Sequence, residues 1–188
     1  MDNIEDMKTL WKELDNRISF LEEENRKLAR SVKENKLSSA RENLIRKYRM
    51  FIILECIMII WVILFVSHNP MVIEKYKLAT TIYWSVFFLI EMGLDLFLLI
   101  KTKAINIYDS PVSEIVKRAA TNWKTHKIGI AIGFPLAIGA VILFALALDA
   151  NEFAVLGIIT GAIVGIIIGI KQLLKFREYY RQFESSEY

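Results

Sequence analysis

Glu91 and Asp95 stand four residues apart in an otherwise apolar run, and Glu55 stands alone in another. A spacing of four puts two side chains on one face of a helix. Carboxylates at membrane depth are costly and point to function by default, as carriers of protons or cations. The structural alternative is that they stay protonated, or pair with basic groups reaching in from the membrane edge. Arg49, Lys101, His126 and Lys127 are placed to do so. Counted from Met50 and Ile100, Glu55 and Asp95 lie five residues inside their runs, roughly 8 Å at the helical rise, and Glu91 is four residues deeper. The far halves of both runs hold no acid or base that would continue a path, which favours the structural alternative.

Enzyme chemistry has little to work with. The two histidines, His68 and His126, flank opposite ends of spans, so one chain cannot bring them to a shared metal. There is no His-Glu-x-x-His, no Gly-x-Ser-x-Gly and no phosphate-binding Gly-rich loop with its Lys. No Asp-rich loop accompanies the three carboxylates, so a hard-cation site is not expected. The single cysteine, Cys56, excludes an intrachain disulfide and leaves the redox compartment open. No catalytic residue, metal or cofactor is assigned.

The elements that carry these residues are membrane spans. With 54% hydrophobic residues in long uninterrupted runs, the chain does not fit a soluble globular class. The runs are 50–66, 78–100, 128–148 and 154–170. A five-residue turn from Asp149 to Phe153 makes the last two an antiparallel hairpin. Lys and Arg number 12 before the first span, 2 after it, 6 in residues 101–127, none in the last turn and 4 in the tail 171–188. Basic residues stay on the cytoplasmic side. The expected topology therefore has both termini and the 101–127 segment in the cytoplasm, at a cell inner membrane. The N-terminus lacks a basic n-region and an apolar h-region, so no cleavable signal peptide is expected. The basic excess hugs the membrane, which argues against nucleic acid as a partner.

Ahead of the first span runs a heptad seam. From Ile4, the a positions are Ile4, Trp11, Ile18, Asn25 and Val32, and the d positions are Met7, Leu14, Leu21, Leu28 and Asn35; eight of the ten are apolar. A narrow stripe kept over five heptads is the pattern of a coiled coil, and Asn at one a position selects a two-stranded parallel register. Arg17 (g) and Glu22 (e) can pair between strands. Leu10 and Phe20 widen the stripe, which also suits a different cytoplasmic protein, or docking on the chain's own bundle. Ser39 and Glu42 fit a capping box that would start a second helix; with no Gly or Pro nearby, one continuous helix fits too. Leu44, Ile45 and Tyr48, among basic residues 41–49, are the contacts expected of a segment at a headgroup surface.

Two further helical patterns flank the later spans. Ser110 as N-cap and Pro111 at the first position begin an amphipathic helix over 111–124, with Ile115, Ala119 and Trp123 on one face. It fits a helix lying flat on the membrane better than one covering the N-terminal helix. In the tail, Leu173, Phe176, Tyr180 and Phe183 form a 3-4-3 stripe, suited to a short second seam or an interfacial band. Within the fourth span, Gly157, Gly161, Gly165 and Gly169 recur every four residues, matched by Gly129, Gly133 and Ala137 in the third. Small residues at this spacing let backbones approach in lipid. Tight packing of spans three and four is the first expectation, and an oligomer contact or pore lining the sharper one.

The runs 7–14 (Met-Lys-Thr-Leu-Trp-Lys-Glu-Leu), 21–28 (Leu-Glu-Glu-Glu-Asn-Arg-Lys-Leu) and 45–49 (Ile-Arg-Lys-Tyr-Arg) resemble small bacterial inner-membrane proteins with an N-terminal helix and a few spans. The layout is also similar to membrane-bound anti-sigma factors, although the zinc-binding His/Cys motif of many of those is absent. The resemblance covers about residues 7–66 and implies a cytoplasmic helix tethered to a membrane, with no activity or functional residue carried over. The expected fold is all-α: a four-span transmembrane helical bundle over 41–188, with a long N-terminal cytoplasmic coiled-coil helix over 1–40. The expected function is a non-enzymatic scaffold or regulatory tether that self-associates or binds a cytoplasmic protein. The alternative is a small transporter or channel built on Glu55, Glu91 and Asp95.

Overall fold

A computed structural model describes residues 2–148 and 152–185. The turn proposed at Asp149–Phe153 lies largely outside them, and so does the side chain of Ile4. Four helices account for nearly all the described residues: α1 (Asp2–His68), α2 (Glu74–Lys103), α3 (Val112–Ala147) and α4 (Glu152–Glu184). No strand occurs among the described residues beyond one isolated bridge, Val72 to Leu148. All four helices are long and apolar enough to cross a membrane.

Helix α1 is one unbroken rod of 67 residues, about 100 Å at the helical rise. It contains no Gly or Pro, and its first half is rich in Glu, Lys, Arg and Leu, all good helix formers. The Ser39–Glu42 pair therefore starts no new helix. Every backbone donor there already has its partner one turn back. The helix ends where Asn69 and Pro70 follow, with the Asn69 side chain accepting the Met71 N–H at 2.9 Å. Helix α3 also runs through a boundary the sequence pattern drew. Its first turns and the third span are one element, so residues 111–124 do not lie flat on a membrane. Pro111, with no side-chain cap, occupies the N-cap position in place of Ser110.

The best-packed part of the bundle lies at the basic end of the spans. Leu37, Ala40, Leu44 and Tyr48 of α1 are fully buried against Leu98 and Leu99 of α2, Ile115 and Ala119 of α3, and Phe176, Tyr180 and Phe183 of α4. Leu44 and Tyr48 are thus core residues, not headgroup contacts. The tail stripe packs within the chain, against α1. Packing begins at Leu37, so the bundle claims the end of the segment assigned to the coiled coil. Polar contacts lock the same region. Arg41 donates to the carbonyls of Thr102 (3.3 Å) and Lys103 (2.7 Å), and Arg118 to that of Ala104 (3.3 Å). These are the last carbonyls of α2 and the residue after it, where cationic donors complement the helix dipole; the Thr102 carbonyl also accepts the Ile105 N–H at 3.3 Å. Lys36 meets Ser185 at 3.1 Å, so the start and end of the chain's packed region share one side. At the opposite end, Ile73 N–H bonds Ala147 O at 2.8 Å over a small apolar cluster of Val62, Val66, Val72 and Ala147.

Between these ends the spans expose large apolar side chains on every helix, among them Ile53, Ile60, Leu89, Ile132, Ile142, Ile163 and Ile167. Exposed apolar surface of that extent is untenable in water and natural in hydrocarbon, where helices need only satisfy their own backbones. The structure is that of a multi-pass, all-α membrane protein.

Candidate functional site

Two features of the bundle are candidates for function: a seam outside it and a carboxylate cluster inside it. The fold leaves the seam bare. Met7, Trp11, Leu14, Ile18, Leu21, Leu28 and Val32 are each 46–68% exposed, as are Leu10 and Phe20 at 63%. Asn25 and Asn35 are exposed on the same stripe. None of these side chains docks on the rest of the chain, so the intrachain option is not realised. The reason is geometric. The buried positions Leu37, Ala40, Leu44 and Tyr48 lie roughly 80–180° around the helix from Val32 and Leu28 at 100° per residue. One face of α1 is committed to the bundle, and the other, a turn further out, has nothing to cover it. Arg17 bonds Glu13 along its own helix at 2.7 Å; the pair is exposed and weakly held, so exchange for Glu22 of another strand costs little.

No protein-family model matches the chain, and neither does any curated protein or solved structure.

The carboxylates do come together. Asp95 is nine-tenths buried, Glu55 and Glu91 are half-buried, and all three are close enough to be electrostatically coupled. Their expected counter-cations are elsewhere. Lys101 Nζ sits over the Phe97 ring at 5.5 Å, Lys127 Nζ over the Trp123 ring at 5.6 Å, and Arg49 is exposed. No ion pair to Glu55, Glu91 or Asp95 forms among the described residues. Glu55 Oε2 is shielded from solvent and has no hydrogen-bond partner among them.

His126, the remaining candidate cation, lies just before the third span in an aromatic box. Its ring is 4.5 Å from Phe176, 5.7 Å from Trp123 and 5.9 Å from Tyr48, centroid to centroid. Burial there pushes its pKa down to about 4, so it is neutral at physiological pH. Tyr48 and Tyr180 close the box with a 2.9 Å hydroxyl–hydroxyl bond between α1 and α4. Sequence reasoning missed this box. The available signal was the i, i+4 pair Leu44–Tyr48 on the face opposite the seam, repeated by Phe176–Tyr180 in the tail.

The glycines divide into two groups. A Cβ at Gly129 would collide with Leu94, and one at Gly133 with the Glu91 carboxyl; one at Gly139 would come within 2.6 Å of Tyr83 Oη. These glycines of α3 accept side chains of α2, the helix before the hairpin. Gly157, Gly161, Gly165 and Gly169 have no neighbour within 4 Å at the Cβ position. The ladder in α4 therefore does not pack spans three and four together. It faces open space at span depth.

Proposed function

We propose that this protein is a non-enzymatic, membrane-anchored homo-oligomer whose N-terminal helix pairs with a second copy in a parallel coiled coil at the inner surface of the membrane. The carrying observation is the bare a/d stripe on a helix continuous with the first span. Because α1 has no break, two paired seams would fix the spacing and orientation of two bundles directly, with no flexible linker between. Such a rod suits a scaffold or regulatory tether, and a cytoplasmic protein reading the paired helices is the natural extension. Transport is the weaker reading. It needs a polar route past the carboxylates, and the far end of the bundle is filled by Val62, Val66 and Ala147 with Phe65, Trp84 and Phe88 around them.

A cysteine at a d position tests the pairing. In a Cys56→Ser background, Leu21→Cys should form an interchain disulfide in intact membranes under mild oxidation, because d positions face each other across a two-stranded parallel seam. Ser19→Cys, at a b position facing away, should not. Equal cross-linking at both positions, or at neither, refutes a specific seam.

Orientation has its own test. The charge distribution supports a topology with both termini in the cytoplasm of an inner-membrane protein. Reporter fusions at residues 69 and 151 should then be active outside, and one at residue 122 inside. An exterior signal at residue 122 inverts the assignment.

A further inference from the structure

A cavity of about 350 Å³ opens between α1, α2 and α3 at the depth of the carboxylates. Four phenylalanines line it, Phe51, Phe87, Phe88 and Phe134, and two carboxyl groups, Glu55 and Glu91, are its acidic groups. Its volume is that of a small-molecule site, and so is its make-up: mostly apolar walls with a few convergent polar groups. We propose that it binds a hydrophobic organic cation, entering from the bilayer.

Three observations select that ligand class. The first is an acidic pair without a partner, which a bound cation would hold in the ionised form. The two glutamates, with Asp95 one helical turn along, have no counter-cation from the chain among the described residues, and Glu55 Oε2 has no hydrogen-bond partner there either. The second is geometry. No group of three or more His, Cys, Asp or Glu side chains among the described residues could hold a metal ion. A bare inorganic cation would have to shed its water in an apolar site without a ligand cage to replace it, which is costly. An organic cation carries its own apolar shell, and aromatic faces attract it further. The third is access. Leu54 and Phe134, on the cavity wall, are 48% and 55% exposed at span depth, so the opening faces lipid, where a hydrophobic cation already partitions. The site is independent of the seam and of self-association.

The test uses the full-length protein in lipid nanodiscs and tetraphenylphosphonium, whose charge is independent of pH. Radiolabelled tetraphenylphosphonium should bind saturably, one per chain. Tetraphenylborate, the anion of the same shape, should show only the unsaturable uptake of the lipid. Glu91→Gln and Glu55→Gln keep the shape and remove the charge, and each should weaken phosphonium binding by about tenfold or more, the effect of losing one charge-assisted contact. Saturable borate binding, no saturable phosphonium binding, or wild-type affinity in both glutamine variants would overturn the proposal. If the variants fail to elute as the wild type does, the contrast between phosphonium and borate on the wild-type protein still decides it.

Discussion

Replacing Leu14 and Leu21 together with Glu should turn the full-length protein from an oligomer into a monomer while leaving its bundle intact. The two halves of that outcome rest on different observations. Both leucines are more than half exposed and touch nothing in the bundle, so the chain's own fold loses nothing when they change. In a paired seam both become core positions, and each copy brings two carboxylates to face two others. An unpaired buried charge costs about 3–5 kcal/mol, so association should weaken by at least about a thousandfold. Analytical ultracentrifugation in a density-matched detergent reads the state directly. Asn25→Ile should move the other way: tighter association with a looser choice of strand number, because the polar pair that penalises other registers is gone. If the double Glu variant keeps the wild-type mass, the seam is not the oligomer contact, and the exposed stripe belongs to a different cytoplasmic protein.

Local patterns made the elements legible. The runs that became spans, the amphipathic start of α3 and the heptads of α1 could all be drawn from residue spacing, because each depends on neighbours three or four positions away. What escaped was the matching of faces between distant segments. Leu37, Ala40, Leu44 and Tyr48 form a stripe of their own, yet the stronger seam ahead of them and the basic residues among them made the segment look like a membrane-surface helix. Its true partners, Phe176, Tyr180 and Phe183, lie more than a hundred residues away. The acids show the same limit from the other side. Their depth and clustering were readable, but the absence of a basic partner among the described residues was not, because Lys101 and Lys127 had to be seen over aromatic rings instead. Helix boundaries failed for a simpler reason. A capping box and a Ser-Pro pair are signals for helix starts; α1 ignores the first because an uninterrupted rod satisfies every backbone group there, and α3 only shifts the second by one residue, to Pro111.

The glycines give the sharpest contrast between spacing and contact. Gly129 and Gly133 share with Gly157, Gly161, Gly165 and Gly169 the same four-residue repeat, so by pattern alone all should respond alike to a large side chain. The structure separates them. A side chain at Gly129 or Gly133 must displace Leu94 or the Glu91 carboxyl of α2, in a region where α2 and α3 pack along their length. Gly129→Leu and Gly133→Leu should each destabilise the bundle by at least the roughly 1–3 kcal/mol of an overpacked core, seen as a lower melting temperature in detergent. Gly133→Leu should also disturb the carboxylate cluster. Gly161→Leu and Gly165→Leu meet open space, so the melting temperature of the single chain should stay at the wild-type value. Their effect, if any, falls on association: in lipid a glycine face gains from another backbone only at close approach, which a leucine prevents. Loss of the oligomer without loss of stability would make the α4 ladder a second contact between copies, acting within the membrane while the seam acts above it. Equal destabilisation by all four substitutions would mean that α4 packs into its own bundle after all, as the repeat first implies.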